Sequence, residues 1–520
     1  MTSLEEQLAL LKAKRFGKSS EKLNKQIDEL EHVLEEAESG SNLSQILKDL
    51  GIDIDLDAKD KRGEDDTEGN TEEDEASSSK NRPRRKPLPQ HLERIDETSH
   101  PDAKCPECDG KNFRKINDDI SETLEYIPSS FKVIRHIRPR CVCINCETIV
   151  QAHPASKAID KGKAGSGLLA HILVQKYCNH LPLYRQSQIY EREGIELSRS
   201  TMASWAGQCA RLLQPLIDEL RKTVFASPQI HGDDTPVRVL SPGLGKTKIG
   251  RIWTYVLDGR PHGDNTPPAV CYYYSPDRKG IRPQEHLKDF TGVLHADAYS
   301  GYDKIYINTK AGDNGEINKN DKDNDASSAT QITEAACWAH TRRKFYEVIV
   351  VNDKAKIALY TLEQIAAIYE IEEEIRGQSP DTRLKIRQSQ SKELVEQLFI
   401  NWKRFYNELP KKSQTAKAIK YAMNNQEALM RFLDNGKIEI DNNAAERAMR
   451  SIALGRKNWL FAGSDNGGET TAAVYSLIET AKLNNINPWQ YLRHVLDTIQ
   501  DHTAAKISEL LPWNVKLEPV

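Results

Sequence analysis

No stretch of this 520-residue chain approaches the ~18 consecutive apolar residues of a membrane-spanning helix, which excludes a protein of that kind. Its first residues, Met-Thr-Ser-Leu-Glu-Glu-Gln, lack the basic and then apolar pattern of a secretory signal, so a cytosolic location is expected. Apolar residues are scarce at 38 %, and charged residues are plentiful at 29 % against a usual ~25 %. A chain of this length buries real cores, yet that balance implies that part of it has no core to join. There is no internal repeat. Nine cysteines in a cytosolic setting exclude a disulfide framework. The phosphate loop suggested by Gly243-Leu-Gly-Lys-Thr247 is excluded as well, because Leu240 stands where its first glycine is required.

The net charge of −4 averages unlike parts. Asp53 to Glu75 holds twelve acidic residues against Lys59, Lys61 and Arg62, a local charge of −9 that leaves +5 on the rest. A mildly basic body with an acidic tether permits a nucleic-acid partner.

Along the chain, eight regions are expected. Residues 1–50 form a helical segment, with Leu4, Leu8, Leu11 and then Leu23, Ile27, Leu30, Leu34 at heptad spacing, suited to self-association or to packing on its own domain. The acidic, Ser-rich residues 51–99 form a disordered linker that ends in the basic run Arg82–Lys86. A zinc-binding module follows at 100–155. Residues 160–225 are helical, with Tyr184–Arg192, a turn at Gly194 and Ser198–Cys209 resembling a helix-turn-helix; Ser198 or Ser200 caps the second helix. Strands are predicted at Ile230–Leu240, Arg251–Leu257, Ala269–Ser275, Gly292–Ala298 and Ala335–His340, with a helix at Gln284–Phe290 and a polar loop at 311–330. These make 226–345 the first part of an α/β core. Residues 346–435 are a helical insertion, 436–480 return to the core, and 481–520 are a helical end. The fold class is multidomain α+β.

Cys105-Pro-Glu-Cys108 and Cys143-Ile-Asn-Cys146 are two CxxC knuckles, and two such turns complete one tetrahedral Zn2+ site. Three acidic positions stand out: Asp233 or its neighbour Asp234 in a strand, Asp297 at a strand end, and Glu446 at a helix start capped by Asn442 or Asn443. A carboxylate among apolar strand residues is costly unless paired or bound to a cation. Three that converge hold two Mg2+ (or Mn2+) ions about 4 Å apart and suit phosphodiester chemistry. Taken singly, each is also a turn Asp, a strand-end cap or a helix-face Glu paired with Arg450.

Nine ordered stretches resemble the DDE transposases of the insertion sequence 66 family. They are Arg15-Phe-Gly-Lys-Ser-Ser-Glu21; the two knuckles with Tyr126-Ile-Pro128 between them; Gly232-Asp-Asp-Thr-Pro-Val237; Gly250-Arg-Ile-Trp-Thr-Tyr255; and Leu294-His-Ala-Asp-Ala-Tyr-Ser-Gly-Tyr302. They continue with Cys337-Trp-Ala-His-Thr-Arg-Arg-Lys-Phe345; Asp441-Asn-Asn-Ala-Ala-Glu-Arg447; Gly455-Arg-Lys-Asn-Trp-Leu-Phe-Ala-Gly-Ser464; and Leu511-Pro-Trp-Asn514. The resemblance implies an RNase H-like core with an all-helical insertion, a catalytic and magnesium-binding triad at Asp233, Asp297 and Glu446, and cleavage and transfer of DNA strands at the element's ends. Asp234 stands where the family usually has Glu, which keeps it open as a substitute for Asp233. The implied partners are terminal-repeat and target DNA and small accessory proteins of the same element, in the cytoplasm at a prokaryotic nucleoid. Phosphate contacts are expected from His340, Arg342, Arg343, Lys344, Arg447, Arg450, Arg456 and Lys457, a packed His and solvated basic faces being the alternative. Two rival functions remain: a zinc and helix-turn-helix DNA-binding protein with an inactive DDE domain, and an RNase H-like nuclease without strand transfer.

Overall fold

Apolar periodicity of two gives way twice to a period of 3.6 along the chain, and the architecture follows those changes. The computed structural model describes residues 131–135, 137, 140–142, 149–151 and 156–517, except 161, 242–245, 298 and 307–331. The helices expected over 1–50, the linker 51–99, the cysteines 105, 108, 143 and 146 and the loop 311–330 lie outside the described residues.

The chain divides into two units. In the unit 55–154, β1 (Arg140–Val142) pairs antiparallel with β2 (Ile149–Gln151), Cys141 opposite Val150. These strands bracket the second CxxC in sequence.

In the other unit, α1 (Ser166–Tyr177), α2 (Leu183–Arg192), α3 (Arg199–Leu212) and α4 (Gln214–Phe225) come first. Gly194 turns between α2 and α3 at φ +78°, a conformation that suits glycine, and Ser198 Oγ accepts from the Thr201 N–H at 3.2 Å to cap α3. Of the two caps expected, Ser198 fills the role.

The sheet contains β3 (Gln229–Ser241), β4 (Lys246–Leu257), β5 (Ala269–Ser275), β6 (Gly292–Ala296) and β7 (Ile332–Ala336) in the order β5-β4-β3-β6-β7. The first three form an antiparallel meander; β6 and β7 run parallel to β3. Helix α5 (Ile281–His286) connects β5 to β6; the helix expected at Gln284–Phe290 begins three residues earlier, with Pro283 in its first turn, and ends four residues earlier.

Two expected strands end early. The fourth stops at Ala296, and the fifth is Ile332–Ala336, after which Trp338 opens a helix, so His340 lies on a helix and not in a strand. A short apolar run does not distinguish these states. Trp338 decides it by burying its ring in the core of the insertion, with Nε1 donating to Leu429 O at 2.8 Å.

That insertion comprises α6 (Trp338–Val351), α7 (Lys356–Glu374), α8 (Pro380–Ile386), a π-helical turn at Arg387–Ser391, α9 (Lys392–Glu408), α10 (Gln414–Asn424) and α11 (Gln426–Met430). Trp338, Phe345, Ile368, Phe399, Trp402 and Ile419 form a second core, which also takes in Ala335 and Ala336 of β7. The chain then returns through α12 (Asn443–Trp459), α13 (Asp465–Leu483) and α14 (Pro488–Thr498). Helix α13 covers the edge strand: Ser476 Oγ accepts from Tyr272 N and Thr480 Oγ1 from Val270 N, at 2.9 and 3.1 Å. Backbone groups that would template another strand are thereby satisfied.

Candidate active site

Asp233 lies in the central strand opposite Thr254 of β4, and two residues before it His231 registers with His295 of β6. Asp297 follows the last residue of β6, at the same end of the sheet. Glu446 is in the first turn of α12. Three distant parts of the chain thus bring the three carboxylates to one edge of the core.

The device that seats Glu446 is Asn442. It stands at the helix N-cap position, but neither it nor Asn443 caps the helix as expected. Fully buried, Asn442 donates from Nδ2 to Gly232 O at 2.9 Å, places Oδ1 3.1 Å from His231 Nδ1, and donates its backbone N–H to Cys337 Sγ at 3.2 Å. One side chain therefore ties the start of α12 to the residue before Asp233. A Cβ on Gly232 would come within 3.0 Å of Leu294 Cδ1, so glycine allows β3 and β6 to close up here. His295 stacks on His231 with centroids 5.1 Å apart and is held well below its usual pKa, by burial first and then by His231.

Burial and neighbouring charge act together on these carboxyls. Asp233 is pushed up to about 8, by burial first and then by Asp297, with Asp234 and Glu446 adding to it. Asp297 is raised too, by burial first, with His340 and Arg278 opposing. Its Oδ1 is buried without a hydrogen-bond partner. His340 puts Nδ1 3.7 Å from Glu446 Oε1, too long for a hydrogen bond, and burial, then Arg343, lowers its pKa. Ligating atoms of Cys337, His340 and Glu446 all lie within 4.8 Å of one another. Among the described residues that is the one such cluster, and it does not include Asp233 or Asp297. The Cys337 thiol, raised far above its ordinary range by burial, stays protonated and takes the Asn442 N–H. Carboxylate oxygens such as Asp297 Oδ1, buried without a partner, are hard donors of the kind that suit Mg2+ or Mn2+.

Asp234 differs from its neighbour. Successive strand residues face opposite sides, and the Asp234 side chain, 1 % exposed, takes Arg251 Nη1 at 3.0 Å and Arg278 Nη2 at 2.8 Å. Arg278 continues to within 3.8 Å of Asp297 Oδ2 and lies over the Tyr299 ring at 3.8 Å. Sequence reasoning missed both arginines. A signal existed: Trp253 is opposite Asp234, so Arg251, two residues away, is its diagonal neighbour.

Arg342, Arg343 and Lys344 are exposed on α6 just beyond His340, and Arg447 is exposed next to Glu446. Arg450 is partly buried on α12. Arg456 spends its guanidinium on β3, donating to Thr235 Oγ1 at 2.8 Å and Pro236 O at 2.9 Å. It and Lys457 stand ten and eleven residues after Glu446, about 15 Å along the helix.

One thermal prediction follows from Asp233. Its ordinary value is 3.8, so between about pH 4 and 8 the folded state holds a proton that the unfolded chain releases. Stability without metal should fall as pH rises through that window, and a divalent cation added at pH 8 should restore it by a few °C. Melting curves of the full chain with and without Mn2+ check this. In Asp233→Asn both effects should shrink; a wild-type profile flat in pH and in Mn2+ contradicts it.

Residues 161–470 match the family described as Transposase IS66 family, and 476–513 the IS66 C-terminal element. The chain belongs to the IS66 transposase family. Residues 102–147 match the zinc-finger binding domain of transposase IS66, and 3–96 match Transposase C of IS166 homeodomain. The last match spans both the predicted helical segment and the predicted linker, and its description points to DNA binding. Among relatives, an uncharacterized protein y4hP of Sinorhizobium fredii is 39 % identical over 451 residues, covering 85 % of this chain and 78 % of that protein. Proteins y4qI and y4jD of the same organism, also uncharacterized, are 37 % and 38 % identical, over 84 % and 83 % of this chain and 80 % and 82 % of their own. The transposase thus carries DDE, zinc-finger and DNA-binding elements, and among the described residues no helix is long and apolar enough to cross a membrane.

Proposed function

We propose that this transposase cleaves DNA at the ends of its element and transfers the freed 3′-OH to target DNA, with Asp233, Asp297 and Glu446 as metal ligands. The observation that carries the reading is the contrast between neighbours: Asp233 is buried where Asp297 and Glu446 raise its pKa and, among the described residues, no Lys or Arg pairs with it, while Asp234 beside it is held by two arginines. Two Mg2+ or Mn2+ ions there would activate a water and stabilise the leaving oxygen of a phosphodiester. The chain's own groups orient that chemistry. Asp233 Oδ1 is fixed by the Asp234 N–H at 2.7 Å, and Asn442 fixes the approach of Glu446. His340, neutral because its pKa is lowered, can accept a proton or hydrogen bond beside Glu446. Arg342, Arg343, Lys344, Arg447 and Arg450 are the candidates for phosphate contact. An antiparallel meander continued by two parallel strands supports an RNase H-like core interrupted by the insertion. A duplex copied from the DNA bordering the gene tests the activity: Mn2+-dependent nicking followed by joining to a second duplex is expected, nicking alone means a nuclease, and neither means an inactive DDE domain.

The same reading assigns 100–155 to one structural zinc on Cys105, Cys108, Cys143 and Cys146, 160–225 to DNA contact through α2 and α3, and 1–50 to self-association. It places the transposase in the cytoplasm at the nucleoid, with accessory proteins of its element as partners. Metal analysis should find about one zinc per chain, lost in Cys105→Ser or Cys143→Ser. Full zinc in those variants contradicts the assignment.

A further inference from the structure

Helix α6 runs from the candidate active site onto the insertion, and there it borders a groove. Lys344, Glu347, Val348 and Val351 of α6 face Gln414, Lys417 and Tyr421 of α10 across a space of about 450 Å³. Lys344 and Lys417 are exposed, and among the described residues no carboxylate lies within 4.0 Å of either, nor of Arg342 or Arg343. Lys344 Nζ sits 5.9 Å from the Tyr421 ring centroid. The positive charges of Arg343 and Lys344 reach His340, which stands beside Glu446, so groove and carboxylates share one electrostatic field.

We propose that this groove holds the sugar–phosphate backbone of the DNA strand already engaged at Asp233, Asp297 and Glu446, as that strand leaves the active site. Charge and distance both support this occupant. Cations without carboxylate partners on an exposed surface suit phosphates, which bind by releasing counterions. From His340 to Lys344 and to Val351 is about 6 and 16 Å along the helix. With a phosphate every ~3.4 Å of duplex axis on each strand, the groove spans about two to five nucleotides from the cut. A strand held at the carboxylates reaches it without a second DNA molecule. The volume admits one backbone, so a duplex lies over the groove with one strand in it. Glu347 is the single acidic side chain among the groove's lining residues, and it opposes the phosphates.

The proposal rests on the catalytic reading of the carboxylates, and the test separates the two. Binding of the full chain to an element-end duplex is measured by fluorescence anisotropy in Ca2+, across salt concentration, with no target DNA. Lys344→Gln with Lys417→Gln should weaken binding about tenfold near 0.1 M salt and flatten the log–log salt slope by nearly two, about 0.9 per lost phosphate contact. Glu347→Gln should tighten binding two- to threefold, which a merely structural role of the lysines would not produce. An unchanged slope in the lysine pair, no tightening in Glu347→Gln, or a deficit seen only after target DNA is added overturns the groove. Cleavage that survives in Asp297→Asn overturns the catalytic reading instead.

Discussion

Asp297→Asn should reduce Mn2+-dependent cleavage of an element-end duplex by at least about a thousand-fold while end binding remains. Partners that only hydrogen-bond to metal ligands cost ~10–100-fold when removed, and a ligand itself costs more. The amide preserves the shape of Asp297 but removes its charge, and with it the attraction that would seat a cation beside Asp233. Asp233→Asn and Glu446→Gln should behave the same way. On the proposed reading each of the three is a metal ligand, so losing any one would leave too few donors for two ions.

Asp234→Asn is the informative contrast. Its carboxylate is occupied by Arg251 and Arg278, so a neutral amide there should loosen both guanidinia and lower stability, with cleavage only partly reduced. Arg278 also approaches Asp297, which gives the variant a second, milder route to an effect on rate. An inactive Asp234→Asn beside an active Asp233→Asn would move the metal ligand by one residue. Activity in both would place the metal site elsewhere.

Much of this arrangement was legible before any coordinates. Ala269–Ser275 coincides with β5, because β-branched and aromatic residues bounded by turn formers leave little choice. The acidic positions were conspicuous because a strand carboxylate needs a partner. The contacts that orient them were not legible. Asn442 looks like an ordinary helix cap, yet its amide is used 210 residues away on Gly232. The local pattern puts His340 at a strand end, because the decisive contact of Trp338 lies on Leu429, 91 residues on. Asp234 carries the same side chain as Asp233 and differs only in which face of β3 it occupies. Local pattern reveals which residues need partners, and topology chooses the partners.

The second large effect is expected far from the carboxylates. Arg387→Met should destabilise the helical insertion by about 3–5 kcal/mol, the usual cost of removing one partner of a buried ion pair. Arg387 is fully buried in the π-helical turn. Its Nε and Nη2 grip Glu372 at 2.7 and 2.5 Å, and its Nη1 donates to the carbonyls of Phe432, Asn435 and Ile438 at 2.8 to 3.0 Å. Glu372, itself buried, would be left with Arg383 Nη2 at 3.4 Å, and three carbonyls would lose their donor. Those carbonyls belong to the segment that leads from the insertion back to Asn442. Ile440, also in it, accepts from the Trp338 N–H at 3.1 Å. Denaturation followed by tryptophan fluorescence reports the loss, since Trp338 and Trp402 lie in the affected core. Adding Glu372→Leu to Arg387→Met removes the stranded charge and should recover more than half of the lost stability. A single variant that costs under about 1 kcal/mol, or a double variant less stable than the single, would mean that the buried pair is not what holds this return segment in place. Cleavage should fall with stability in Arg387→Met, because a loosened return segment weakens the seat of Glu446 without touching any carboxylate of the site.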